Sequence, residues 1–155
     1  MIAKLKRREF IMLLGGAAAG WPLAALAQQD RMRRVGMLSS LAADDPQSQA
    51  RNAVLLQGLQ ELGWVVGRDL RIDFRWGEGD VDRTRKYAAE LVALKPDVIL
   101  AVGASTVKPL QQATHTVPLV FLQVTDPVGA GLVATLARPG GNITSFTNFE
   151  FATSG

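Results

Sequence analysis

Two apolar runs, residues 97–102 and 117–124, constrain this chain more than any other feature. The first reads Val98-Ile99-Leu100-Ala101-Val102 after Asp97, and neither run has a wet side. A strand buried on both faces is the interior strand of a parallel sheet. Parallel neighbours need crossovers of about a dozen residues or more, usually helices. The rest of the chain supplies them.

Val35-Gly36-Met37-Leu38 reads as a first short strand ending in Ser39-Ser40. Asp44-Asp45-Pro46 then opens a helix, with an acidic cap and proline in the first turn. Val54, Leu55, Leu59 and Leu62 recur at helical spacing, and Gly63 stops the helix. Leu70, Ile72, Phe74 and Trp76 alternate with Arg71, Asp73 and Arg75, the period of a strand near a sheet edge. After the Gly77–Asp80 loop, a helix is predicted over 81–94, with Tyr87, Ala88, Leu91 and Leu94 inward. Another runs from the Gly103–Thr106 loop to about Ala113. A fourth is predicted over 128–137 behind Asp126-Pro127, then a turn at 138–142 and a fifth strand over 143–149. The expected class is α/β, a doubly wound parallel five-stranded sheet with helices on both faces, like a flavodoxin-like lobe.

Such sheets bind ligands beyond the carboxyl ends of their strands. The residues placed there are Ser39 and Ser40 after the first strand, and Ser105 and Thr106 after the third. Thr125 and Asp126 follow the fourth, and Asn148 and Phe149 the fifth. Hydroxyls, helix-start amides and one carboxylate orient a small polar ligand. Ser105 and Asp126 also read as helix caps, and helix starts there suit an anion such as a carboxylate. Trp64 and Trp76 read as packing residues, and His115 as a surface or helix-end histidine without a catalytic partner.

The sequence has no phosphate loop, no Gly-x-Ser-x-Gly elbow and no His-Glu-x-x-His. Gly129-Ala130-Gly131 lacks the remainder of a dinucleotide fingerprint. Glu78, Asp80 and Asp82 lack calcium-loop spacing. There is no Cys and one His, which excludes thiolate zinc sites, thiol nucleophiles and disulfides. No cofactor, metal or catalytic residue is therefore expected. An enzyme on a flavodoxin- or Rossmann-like sheet is the alternative, with a sensor lobe that contacts an envelope partner as a third reading.

Residues 1–27 read as an address. A basic head of Lys4, Lys6, Arg7 and Arg8 precedes an apolar run broken by Gly20 and Pro22, and Ala25-Leu26-Ala27 supplies small residues for cleavage. Arg7-Arg8-Glu9-Phe10-Ile11 resembles a twin-arginine export signal. The run is shorter than the ~20 apolar residues of a spanning helix. The whole chain has 17 basic and 14 acidic residues; removing the head's four and Glu9 leaves 13 of each. A neutral exported part gives no electrostatic basis for nucleic-acid binding. Arg31, Arg33 and Arg34 are expected as a solvated terminal cluster.

Several stretches together carry a family resemblance. They are the leader, Val35-Gly36-Met37-Leu38-Ser39, Gln57-Gly58-Leu59-Gln60-Glu61-Leu62-Gly63-Trp64 and Phe74-Arg75-Trp76-Gly77-Glu78-Gly79. Asp126-Pro127-Val128-Gly129-Ala130-Gly131-Leu132-Val133 and Arg138-Pro139-Gly140-Gly141-Asn142-Ile143-Thr144 complete the set. The combination resembles the substrate-binding proteins of ABC transporters. That resemblance implies a type I periplasmic-binding-protein fold whose two lobes clamp a small solute, in the periplasm, for an inner-membrane permease. It implies contact with the membrane only through the transporter. The expected organisation is a signal peptide over 1–27 and the N-terminal lobe over 28–155. The second lobe would be absent, as in a truncated copy.

Overall fold

The computed structural model describes residues 31–146 except Leu136 and Pro139. The export segment, Asn148 and Phe149 lie outside the described residues. Among the described residues there are five strands: β1 (Arg33–Ser39), β2 (Leu70–Trp76), β3 (Val98–Val102), β4 (Leu119–Leu122) and β5 (Ile143–Phe146). Three helices lie between them: α1 (Pro46–Glu61), α2 (Val81–Ala93) and α3 (Ala104–Ala113). The strands form one sheet in the order β2-β1-β3-β4-β5, with every pairing parallel. The α/β class and the edge position of β2 follow the sequence pattern.

The order fixes the layers. The step from β1 to β2 runs one way along the sheet, and the steps from β2 to β3 and β3 to β4 run the other way. Right-handed crossovers therefore place α1 on one face and α2 with α3 on the opposite face. The core lies under α2 and α3. Leu38, Ile99, Ala101, Leu119 and Phe121 from the sheet meet Ala88, Leu91, Val107 and Leu110 from the helices, all buried. Gly36 lets α2 approach: a Cβ there would lie 3.2 Å from Ile99 and 3.3 Å from Leu91. On the α1 face Val35, Val98, Leu100, Val120 and Leu122 are only half-buried.

Caps fix where two helices begin. Asp45 accepts the N–H groups of Gln47 at 2.9 Å and Ser48 at 3.1 Å, with Pro46 at the first helical position. Asp80 accepts the Arg83 N–H at 2.8 Å. Helix α3 differs. Gly103 stands at its cap, no side chain caps it, and Pro109 lies inside it. Among the described residues no helix is long and apolar enough to cross a membrane.

Four expectations need correction. Over 128–135 the chain forms a turn followed by irregular backbone instead of a helix. The N–H groups of Leu132 at 2.9 Å and Val133 at 3.3 Å both close back on the Pro127 carbonyl. Gly129 and Gly131 oppose a helix, and Gly131 takes φ 68, while Leu132 and Val133 turn into the core. Arg33 and Arg34 are not a solvated tail. They start β1, where Arg33 lies 3.4 Å from Asp97 and Arg34 Nε lies 3.1 Å from Asp73 Oδ2. Val54 and Leu62 keep helical spacing but are exposed, at 70% and 78%, and among the described residues no other helix lies on the face that carries α1. The run 117–124 pairs only over Leu119–Leu122, because Pro118 has no N–H to donate and Gln123 leaves extended geometry at φ 56.

Candidate functional site

The carboxyl edge of the sheet is stitched together by backbone. Ser40 N–H donates to the Val102 carbonyl at 3.0 Å and Gly103 N–H to the Leu122 carbonyl at 3.1 Å. Gly77 N–H reaches the Ser39 carbonyl at 2.8 Å, and Gly79 N–H the Ser40 carbonyl at 3.1 Å. The exits of β1, β2, β3 and β4 thus form one continuous rim.

The six residues expected at this rim divide into two kinds. Ser39 and Thr106 are buried, with hydroxyls engaged inside the loops. Ser39 Oγ accepts the Leu41 N–H at 3.2 Å, and Thr106 Oγ1 donates to the Gly103 carbonyl at 2.8 Å. These two shape the loops from within. Ser105, Thr125 and Asp126 are exposed, and Ser40 is half-buried against Gly103. Ser105 does not cap α3, because it is the second helical residue. Asp126 caps a turn instead of a helix: its Oδ1 accepts the Gly129 N–H at 2.8 Å.

Ser105 opens onto a cavity of about 590 Å³ between the starts of α2 and α3 and the turn after β4. Val81, Pro109, Ala130 and Leu132 form apolar walls, and Arg85, Lys108 and Gln112 supply polar ends. Arg85 Nη1 stands 3.6 Å from Asp82, while Lys108 has no ion-pair partner among the described residues. Of the six rim residues only Ser105 lines this space. The sequence reading missed Arg85 and Lys108, although Lys108 follows Ser105 by three residues and so shares its helix face.

A second polar group was also missed. Arg51 of α1 donates from Nη1 to Gln123 Oε1, just beyond β4, and from Nη2 to Ser48 Oγ at 3.3 Å. Burial lowers the Arg51 pKa, and the nearby Asp45 charge partly offsets that. Its Nε is buried without a hydrogen-bond partner, as is the neighbouring Asn52 Oδ1. A polar residue inside a helix announces none of this in sequence.

The remaining candidates stand away from Ser105 or serve in caps, ion pairs and ring stacking. His115 is exposed just past α3, at the end of that helix away from Ser105. Asp80 caps α2, Glu78 pairs with Arg83, and Asp82 lies near Arg85. Trp76 stacks on Phe74, with ring centroids 5.6 Å apart and planes 9° apart.

Comparison with known proteins agrees with this architecture. A family profile described as ABC transporter substrate binding protein matches residues 40–154. A tyrosine-binding protein of Clostridioides difficile (strain R20291) is 33% identical over 94 residues, which cover 61% of this chain and 27% of that protein. The structure of an ABC domain in complex with L-Trp from Streptococcus pneumonia superposes with a TM-score of 0.68 at 29% identity. That match covers 76% of this chain and 39% of the other. A ligand-free, open substrate binding protein with adhesive properties from Clostridium difficile gives a TM-score of 0.69 at 28% identity, covering 77% and 40%. The chain thus spans about a quarter to two fifths of the length of these relatives. By its sequence match and its parallel five-stranded lobe, the chain belongs to the ABC transporter substrate-binding protein family.

Proposed function

We propose that this lobe forms one wall of a binding site for a small polar solute, an amino acid, at the carboxyl edge of its sheet, and that it serves an ABC-type importer. One observation carries the reading. Asp45 and Asp80 cap α1 and α2, but α3, the helix at this rim, begins at Gly103 with no side-chain cap. The first amides of a helix lack intrahelical partners and favour an anion. Uncapped amides beside an exposed Ser105 suit a ligand carboxylate. Ser40, Thr125 and Asp126 add hydroxyls and one negative charge for the polar remainder, including an ammonium group. The names of the tyrosine-binding relative and the L-Trp complex support the same ligand class. The partner this reading implies is an inner-membrane permease.

Export of the chain belongs to the same proposal. Its support is the basic head, the short apolar run and Ala25-Leu26-Ala27. N-terminal sequencing of the chain recovered from the periplasm is expected to begin at Gln28.

Titration calorimetry of the chain against L-tyrosine, L-tryptophan, their amides and a neutral sugar tests the binding reading. Heat with the free amino acids and none with the amides is expected, since an amide removes the anion. Equal binding of an amino acid and its amide would refute the carboxylate assignment.

A further inference from the structure

Arg51 joins two limbs of the rim that are far apart in sequence. Its guanidinium bridges Ser48, in the first turns of α1, to Gln123, the first residue after β4. Ser48 is fully buried and its N–H is held by Asp45, so this end is fixed to the capped start of the helix. The other end is strained. Gln123 takes φ 56 and Asp126 takes φ 49, so left-handed residues bracket Val124 and the exposed Thr125. Asp126 is held locally by the Gly129 N–H, and Gln123 is held by Arg51. Glutamine does not adopt this conformation without surrounding support.

No carboxylate pairs with Arg51 among the described residues, so its fixed contacts are the neutral Gln123 and Ser48. A surface arginine serving only solubility would not bury Nε without a partner. We infer that Arg51 is a positioning residue: by clamping Gln123 in its left-handed conformation against α1, it sets where Thr125 and Asp126 stand at the binding rim. The ligand-binding part of this inference rests on the function proposed above, whereas the clamp itself does not.

Arg51→Met keeps the apolar stem and removes the clamp. Gln123→Asn, added to Arg51→Met, supplies a residue that accepts the left-handed region more readily. Amide chemical shifts and hydrogen exchange of residues 123–126 are read first, in the ligand-free chain. Arg51→Met is expected to shift these amides and speed their exchange, with thermal unfolding little changed. The affinity for L-tyrosine or L-tryptophan is expected to fall about tenfold, as for other residues that orient a contacting group, and to recover partly in the double variant.

Unchanged amides in Arg51→Met would overturn the clamp, whatever the ligand result. Shifted amides with unchanged affinity would overturn the positioning role and leave Arg51 a structural tie. If the wild-type chain binds neither probe, the ligand reading fails, and the amide measurement still decides the clamp.

Discussion

The hydroxyl of Ser40 fills the space that any side chain at Gly103 would need: a Cβ there would stand 2.3 Å from Ser40 Oγ. Gly103 also holds φ 91, a conformation open to glycine and costly to alanine. Gly103→Ala is expected to cost at least about 1–2 kcal/mol, read as a lower urea midpoint. It should also displace Ser40 and weaken solute binding. An unchanged midpoint would show that this junction of two rim loops carries no constraint.

Asp126 performs two separable tasks, holding the turn through the Gly129 N–H and presenting a negative charge to solvent. Asp126→Asn retains an acceptor oxygen and loses the charge. Asp126→Ala loses both, and about 1 kcal/mol of stability with them. Calorimetry should find both variants impaired for an amino acid, with only alanine lowering the unfolding midpoint. Full affinity in Asp126→Asn would remove the carboxylate from the site.

Helical spacing marks both Leu91 and Leu62, but only Leu91 is buried. It sits where α2 meets Gly36 of β1. Leu91→Ala is expected to cost about 2–5 kcal/mol in urea unfolding. Leu62→Ala, at 78% exposure, should stay within about 0.5 kcal/mol. Similar losses at both positions would mean that the exposed side of α1 is covered in solution.

Asp69 ties the loop before β2 to itself. Its carboxylate accepts Arg68 Nη2 at 2.7 Å and the Val65 N–H at 3.2 Å. The Arg68 hydrogen bond, opposed by partial burial and helped by Val65, holds the Asp69 pKa below its ordinary value. A depressed folded-state pKa stabilises above the unfolded carboxylate value of about 3.9 and ceases to do so as pH falls through the folded value. The stability gap between wild type and Asp69→Asn should therefore be present at neutral pH and close in acid. A gap that widens on acidification would reverse the assigned sign.

The sheet was legible in sequence because its strands obey simple periods. The apolar run ending at Val102 marks a central strand, and the alternation from Leu70 to Trp76 marks the edge. The segment after Asp126 misled because Asp126-Pro127 imitates an acidic cap with proline in the first turn of a helix. Gly129, Gly131 and the burial of Leu132 and Val133 in the core outweigh that start signal. Sequence order placed the rim residues in the loops at the carboxyl edge, but did not show which hydroxyls face out. Ser39 and Thr106 turn inward because nearby backbone groups need partners. Arg51 and Gln123 were invisible because their pairing spans 72 positions of chain.

Pro109 has a mechanical consequence for the helix that carries Ser105. Lacking an N–H, it cannot bond the Ser105 carbonyl four residues earlier, which removes one rung from the first turn of α3. That turn is also the one with no side-chain cap. The Ser105 carbonyl at the rim is consequently denied its partner in the helical ladder, while Thr106, Val107 and Leu110 keep the same helix seated in the core.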